Sequence, residues 1–379
     1  MTLIIPDIHA DLKRLELALS HAGDGPIAFL GDFIDQGPWS KSEPADRAVL
    51  TRVRELMDAG RAVAVMGNHE LNAILYHRFD SQGRPLRKHS DKNAAQHKSF
   101  LDEFGVASPE ALAWTQWFMD TLPLWHEGEG FRLVHAYWSD EDIALIKARS
   151  PDGKLKVEDL PEVAAESTPF GQAVKRITSG PEVTLPDGYF MTDAKGVQRR
   201  EMRLRWWGDA KTWKEAALSV PDLSGLPDAD LPPELIAAND FGAAPPTFIG
   251  HYKMAGNPKI DNADVLCLDY PYAPCAYAFK GEAEIARANL VDAARPPHPA
   301  PKEYVTRIVF EVPPSQSQRV IDVMGLLPDA SLSTEARRTF VWETTGARYR
   351  GDDETIVYRL AQELGDDVSF RIDWSSSRY

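Results

Sequence analysis

The sequence predicts an α/β fold in which short apolar strands alternate with amphipathic helices, and two observations carry that prediction. Apolar runs recur at Leu3-Ile4-Ile5, Ile27-Ala28-Phe29-Leu30 and Ala62-Val63-Ala64-Val65-Met66, each followed by a stretch with helical apolar spacing. Each run is also tipped by Asp, His or Asn just before its helix. Ligand-binding residues of α/β sheets collect at that end of the strands.

The first strand breaks at Pro6 into Asp7-Ile8-His9-Ala10-Asp11, and a helix is predicted over about 11–22 with Leu12, Leu15 and Leu19 on one face. Alone, Asp7 and His9 would read as a helix cap and a satisfied polar side chain. The second strand runs into Gly31-Asp32-Phe33-Ile34-Asp35-Gln36-Gly37, two carboxylates between glycines that permit the tight backbone path of a metal or phosphate site. Asp-x-x-Asp between glycines also makes an ordinary turn. A helix over about 43–59 carries Val49, Val53 and Leu56 and ends at Gly60. The third strand enters Gly67-Asn68-His69-Glu70 and a helix over about 70–79. Three successive tips of the same chemistry are hard to ascribe to chance.

Residues 80–107 read as polar and irregular, with a short amphipathic piece near Phe100–Phe104. Ser108-Pro109-Glu110 opens a helix to about Asp120, whose Trp114, Trp117 and Phe118 belong to the core. Leu122–Trp125 and Phe131–Val134 flank a hairpin turn. His135 caps the apolar run and is preferred over His126, which sits at the turn end of its strand. Helices and loops without evident chemistry fill 139–185, and Tyr189–Trp207 resembles one long hairpin. Alternation places Arg203 and Arg205 on one strand face, where they either clamp a phosphate or meet solvent. After a proline-rich surface excursion over 219–246, Thr247-Phe248-Ile249 leads into Gly250-His251-Tyr252-Lys253. Val265–Asp269 and Ala276–Phe279 close a catalytic domain of residues 1–290. A proline-rich linker, Ala293–Pro301, precedes an appendage over 302–379, where strands at 304–312, 337–344 and 368–373 alternate with helices at 315–326 and 353–364.

Composition narrows the function. A chain of 379 residues with 43% hydrophobic and 26% charged residues can bury a real core. Its formal net charge of −15 argues against broad capture of polymeric nucleic acid, although a local basic pocket still holds a phosphate. No stretch approaches a membrane span, and the first residues read as a strand, not as a signal peptide. Cys267 and Cys275 do not suggest a disulfide framework, which fits a cytoplasmic protein.

Asp7, His9, Asp32, Asn68, His135 and His251 all offer oxygen or nitrogen at strand ends predicted to belong to one sheet. Such a set suits two hard or borderline divalent ions, with Asp32 the natural bridge between ions about 3.5–4 Å apart. Positive charge so concentrated points to phosphate as the substrate oxygen. The motifs Asp7-Ile8-His9, Gly31-Asp32-Phe33-Ile34-Asp35, Gly67-Asn68-His69-Glu70, Val134-His135-Ala136 and Gly250-His251 resemble, in order, those of the calcineurin-like metallophosphoesterases. The branch resembled holds the phosphoprotein phosphatases and the diadenosine tetraphosphatase-like enzymes, over about residues 3–280.

The resemblance implies an α-β-β-α sandwich of two mixed sheets flanked by helices, with the small C-terminal α/β appendage outside it. It implies that Asp7 and His9 bind one metal, that Asp32 bridges, and that Asn68, His135 and His251 bind the other. The ions expected are Mn2+ first, with Fe, Zn, Ni or Co as alternatives. His69 would protonate the leaving oxygen with Asp35 orienting it, and a hydroxide between the metals would attack phosphorus in line. Two positions depart from the family pattern. Lys253 stands where many members have a histidine ligand, and Gln36 where phosphoprotein phosphatases carry a phosphate-gripping arginine. Either another cation such as Arg203, Arg205 or Lys253 would then substitute, or phosphate would be held mainly by the metals. The expected activity is hydrolysis of a phosphomonoester or small nucleotide polyphosphate, with a small phosphorylated molecule or a phosphoprotein as partner. A phosphodiesterase on the same metals and a catalytically silent phosphate-binding or regulatory protein are the alternatives.

Overall fold

The computed structural model describes residues 1–192, 196–208, 210–218, 220, 222–237 and 244–297, together with the backbone of four strands beyond them. Two compact units divide the chain, Met1–Pro297 and His298–Tyr379.

In the first unit, strands Thr2–Ile5, Ile27–Phe29 and Ala62–Ala64 pair in parallel, and Cys275–Phe279 and Leu290–Asp292 extend the sheet antiparallel on the other side of Thr2–Ile5. A second sheet runs in the order Val265–Cys267, Thr247–Ile249, Arg132–Val134, Trp125–Glu127, its first three strands parallel. The strand ends therefore belong to two sheets and not to the single sheet expected. Short apolar runs fix which strands exist, but they carry no information on which sheet each one joins.

Alternation along each strand sorts the side chains into layers. Leu3, Ile5, Ile27, Phe29, Val134, Ile249, Val265 and Cys267 pack into the core that holds the helices. Ile4, Ala28, Leu133, Phe248, Leu266, Tyr277 and Phe279 point the other way and form the layer shared by the two sheets. Each large residue buried there contributes about 1.5–3 kcal/mol. The helices outside follow the expected apolar stripes. Leu12–Leu19 buries Leu15, Ala18 and Leu19 behind an Asp11 cap, and Asp46–Asp58 buries Val49, Val53 and Leu56. Asn68–Tyr76 begins at Asn68, two residues earlier than expected, which places Asn68 and His69 in its first turn.

Three other segments differ from expectation. Residues 80–107 are not irregular: helices Asp91–Gln96, capped by Ser90, and Lys98–Phe104 cover part of them, and Phe100 and Phe104 are the buried face of the second. The long hairpin over Tyr189–Trp207 divides, since Met191–Thr192 pairs with Gln198–Arg199 while Glu201–Arg203 pairs with Glu182–Thr184. Within 219–246, Leu226 and Leu231 are buried in a cluster with Leu185, Met202, Leu204 and Trp213, so those residues are anchored and not a plain surface excursion.

The second unit contains an antiparallel sheet in the order Ser331–Ala336, Thr339–Arg348, Lys302–Glu311, Ser369–Ser376. Its two central strands pair over ten residues, from Lys302 opposite Arg348 to Glu311 opposite Thr339. Strand Ser331–Ala336 falls between the expected elements, and the helices expected at 315–326 and 353–364 lie outside the described residues.

Candidate metal centre

The turns that follow the strands are knit to one another by backbone. Ile8 and His9 N–H both donate to the Asp32 carbonyl, Ala10 N–H donates to Phe33, and Gly250 N–H donates to the His135 carbonyl. Those turns demand left-handed backbone from residues that resist it. Of the eight non-glycine residues with positive φ among those described, His9, Ala10, Asp32, Asp35, His251 and Lys253 lie here. Each such residue costs on the order of 1 kcal/mol, a strain that clusters at functional sites. The fully buried Glu70 carboxylate holds the second turn, accepting from Asp32 N, Phe33 N and Gly67 N at 2.8–3.0 Å. Glycine is needed at Gly250 for space, because a Cβ there would collide with Asp7 Oδ1. Gly250→Ala is therefore expected to weaken divalent-ion binding about tenfold or more by displacing Asp7, as titration calorimetry would show.

All six expected metal ligands converge. Asp32 Oδ2 lies 3.8 Å from His9 Nε2, 3.4 Å from His135 Nε2 and 3.9 Å from His69 Nε2. Asn68 Oδ1 is 3.1 Å from His135 Nε2 and 2.8 Å from His251 Nδ1, and Asp7 accepts from the His251 backbone N–H. His9, Asp32 and His69 form one group whose ligand atoms lie within 4.8 Å of one another, and Asp7, Asp32 and His135 form another. Asp32 is common to both. Proximity also admits His69 to the first group, where His69 Nε2 and His9 Nε2 face the same space.

The donor set fits divalent cations. His9 Nδ1 donates to the Asp35 carbonyl at 3.1 Å and His135 Nδ1 to the Leu30 carbonyl at 2.6 Å, which turns both Nε2 lone pairs toward the centre. The Nε2 atoms of His9 and His251 are buried without a hydrogen-bond partner. Burial, reinforced by the neighbouring His69 charge, pushes His9 down to about 3, and burial with the Arg203 charge pushes His251 well below its ordinary value. Both are thus neutral and able to ligate. Asp7 is raised by burial and by the negative charge of Asp269 beside it, a repulsion that a cation relieves. Burial opposes charge on His135, but Asp32 outweighs it and raises the imidazole to about 10, so this position demands a positive charge. A metal ion bound there would supply that charge in place of the proton.

His69 N–H is anchored on Asp32 Oδ1, and His69 Nδ1 is 2.7 Å from Asp35 Oδ2. Burial alone would raise Asp35, yet His97 beside it and the hydrogen bonds from His69 and His97 hold it at about 2. Burial lowers His69 less than Asp32 and Asp35 raise it.

The expected substrate residues fare differently. Arg203 lines a cleft of about 740 Å3 together with Asn68, His251, Arg87, Lys92 and Lys175. Arg205 turns instead to Asp261 at 3.5 Å. Lys253 Nζ lies 4.7 Å over the Trp39 ring, whose edge meets the His9 ring at 5.1 Å. The Gln36 side chain donates to the Ser42 carbonyl at 2.5 Å. Sequence reasoning missed Glu70, although it stands inside a quoted motif, and missed His97. The Ser90 cap and the apolar pair Phe100 and Phe104 were the available signals for the two helices that flank His97.

The class is then an α-β-β-α sandwich with buried carboxylates and imidazoles gathered at the carboxyl ends of its strands. Residues 2–174 match the calcineurin-like phosphoesterase family. The match takes in every expected ligand through His135 and stops short of His251. A stretch of 67 residues is 40% identical to the symmetrical bis(5′-nucleosyl)-tetraphosphatase of Burkholderia thailandensis, and 37% identical to the protein of that name from Burkholderia pseudomallei. These matches cover 17% of this chain and span 21% of the length of the relatives. Among solved structures, a hypothetical protein of Pyrococcus horikoshii OT3 aligns over 51% of this chain and 80% of its own, with a TM-score of 0.28 and 14% identity.

Proposed function

We propose that this chain is a two-metal phosphoesterase that hydrolyses a phosphomonoester or small nucleotide polyphosphate. The observation that carries the reading is Asp32, a single buried carboxylate common to two groups of potential ligands, surrounded by imidazoles whose lone pairs face inward. Divalent ions bound there supply positive charge to phosphate oxygens and acidify water. Mn2+ is the expected ion for this mixed oxygen and nitrogen set, with Fe, Zn, Ni or Co as alternatives.

The chain's own residues divide the remaining work. His69, paired with Asp35 through Nδ1, presents Nε2 toward the centre and delivers its proton to the leaving oxygen. Arg203 in the cleft beside Asn68 and His251 grips phosphate, and the Lys253 ammonium adds charge on the His9 side. The tetraphosphatase activity for which the relatives are named favours a nucleotide polyphosphate, and the further cations of the cleft, Arg87, Lys92 and Lys175, suit more than one phosphate. Residues 1–290 are the catalytic domain and 302–379 an appendage. No helix among the described residues is long and apolar enough to cross a membrane. Both cysteines are buried free thiols, which supports a reducing, cytoplasmic setting.

The test is a panel of aryl monoester, aryl diester, dinucleoside polyphosphate and phosphopeptide substrates, run with Mn2+ and after chelation. Turnover is expected on monoester and nucleotide substrates and is expected to vanish on chelation. Arg203→Ala should raise KM on them about tenfold, one charge-assisted contact's worth. Preference for the diester would install the phosphodiesterase reading, and a purified protein that neither holds nor rebinds a divalent ion would leave a silent phosphate binder.

A further inference from the structure

Asp35 has two carboxylate oxygens, and the acid His69 uses only one. The other, Oδ1, lies 2.7 Å from His97 Nδ1. His97 Nε2 lies 3.0 Å from His77 Nε2, and His77 Nδ1 is 2.8 Å from the backbone N–H of Ala107. All four side chains are buried: His69 is 5% exposed, Asp35 2%, His77 1% and His97 0%. The line runs from the turn at Gly105–Ala107 to the metal centre.

The direction of every hydrogen bond follows from its outer end. A backbone N–H can only donate, so His77 Nδ1 accepts and its proton sits on Nε2. That proton is donated to His97 Nε2, so His97 carries its own on Nδ1 and donates to Asp35. Ala107 holds φ +48°, a left-handed conformation that alanine resists, and its N–H is the one that starts the chain. The His97 ring is also clamped, stacked on Phe100 at 4.8 Å with 16° between planes. Burial, with the adjacent His97, pushes His77 down to about 3, which leaves it neutral.

Resting on the phosphoesterase reading above, we propose that His97 and His77 are positioning residues that hold the Asp35 carboxylate in place, so that Asp35 in turn fixes the His69 ring with Nε2 facing the leaving oxygen. A carboxylate that accepts from His97 through Oδ1 is kept from rotating, and its Oδ2 is held toward His69 Nδ1. Such a role differs from packing in one respect: it matters only when the leaving oxygen needs a proton.

Two measurements test it. In protein freed of paramagnetic ions, long-range 15N–1H NMR of labelled histidines is expected to show His97 protonated on Nδ1 and His77 on Nε2, and the opposite tautomer at His97 would overturn the proposal without reference to activity. In kinetics, phenyl phosphate needs protonation of its leaving group whereas 2,4-dinitrophenyl phosphate does not. His97→Phe, which keeps the ring stack and removes the donor, should lower the ratio of kcat on the first to kcat on the second about tenfold or more with KM little changed. His97→Asn, whose amide can donate near the place of Nδ1, should restore most of that ratio. His77→Phe should lower the ratio less, being one bond further away, and covers the event that His97→Phe fails to fold. An equal fall on both substrates, or no rescue by Asn, makes His97 a packing residue and sinks the proposal. Wild-type protein inert toward both phosphates would instead sink the phosphoesterase reading, and the NMR tautomers would still decide the assignment of His97 and His77.

Discussion

Replacement of Asp32 by Asn is expected to cut kcat on an aryl phosphate by about three orders of magnitude while leaving the fold intact. Asparagine tolerates the left-handed backbone that Asp32 adopts at φ +52°. Its Oδ1 can still accept the His69 N–H, which Asp32 Oδ1 now receives at 2.9 Å. What it cannot supply is the second oxygen, the one facing His9, His69 and His135, because an amide NH2 has no lone pair for a cation. Bound metal measured by elemental analysis should fall below that of the wild type, with an unchanged circular dichroism spectrum. Turnover within a few fold of wild type in a clean preparation would remove Asp32 from the centre.

The largest stability effect belongs to a residue without a place in the chemistry. Glu70→Ala would leave three buried N–H groups, those of Asp32, Phe33 and Gly67, without an acceptor. At about 1–3 kcal/mol for each orphaned donor, a loss of roughly 3–5 kcal/mol is expected in denaturant unfolding. Glu70→Gln keeps one carbonyl oxygen at the same distance and should cost about half as much. Because the first two donors belong to the turn bearing Asp32, Glu70→Ala should also lower metal content, and a loss below 1 kcal/mol would show that water replaces the carboxylate.

The strands and their chemistry were readable from the sequence because they are local. Apolar runs such as Leu3–Ile5 and Thr247–Ile249 announce strands, and the residue two positions after each of these runs, Asp7 or His251, is the one that the strand aims at the site. Sheet partnership was not readable, since pairing of Arg132–Val134 with Thr247–Ile249 depends on closure of a loop of more than a hundred residues. The side-chain roles divided the same way. His135 could be chosen over His126 from its position, and it does reach Asp32 while His126 lies in the strand beyond. His97 could not be found, because its partner Asp35 is 62 residues away and it joins two short helices in a polar stretch with little apolar period. Arg203 and Arg205 share a strand face on paper, yet one enters the cleft and the other pairs with Asp261, because the strand ends between them at Arg203.

The left-handed residues at the centre also limit how this chain can drift. At His9, Asp32, Asp35 and His251 the backbone disfavours β-branched and bulky replacements and admits Gly, Asn and Asp most readily. Random substitution that survives folding will therefore favour small or amide side chains, which keep the turn and discard the ligand. The accessible neighbours of this sequence are then folded and inert more often than they are active on a new substrate. A lineage leaving this chemistry would do so by falling silent first, with the architecture of the two sheets preserved.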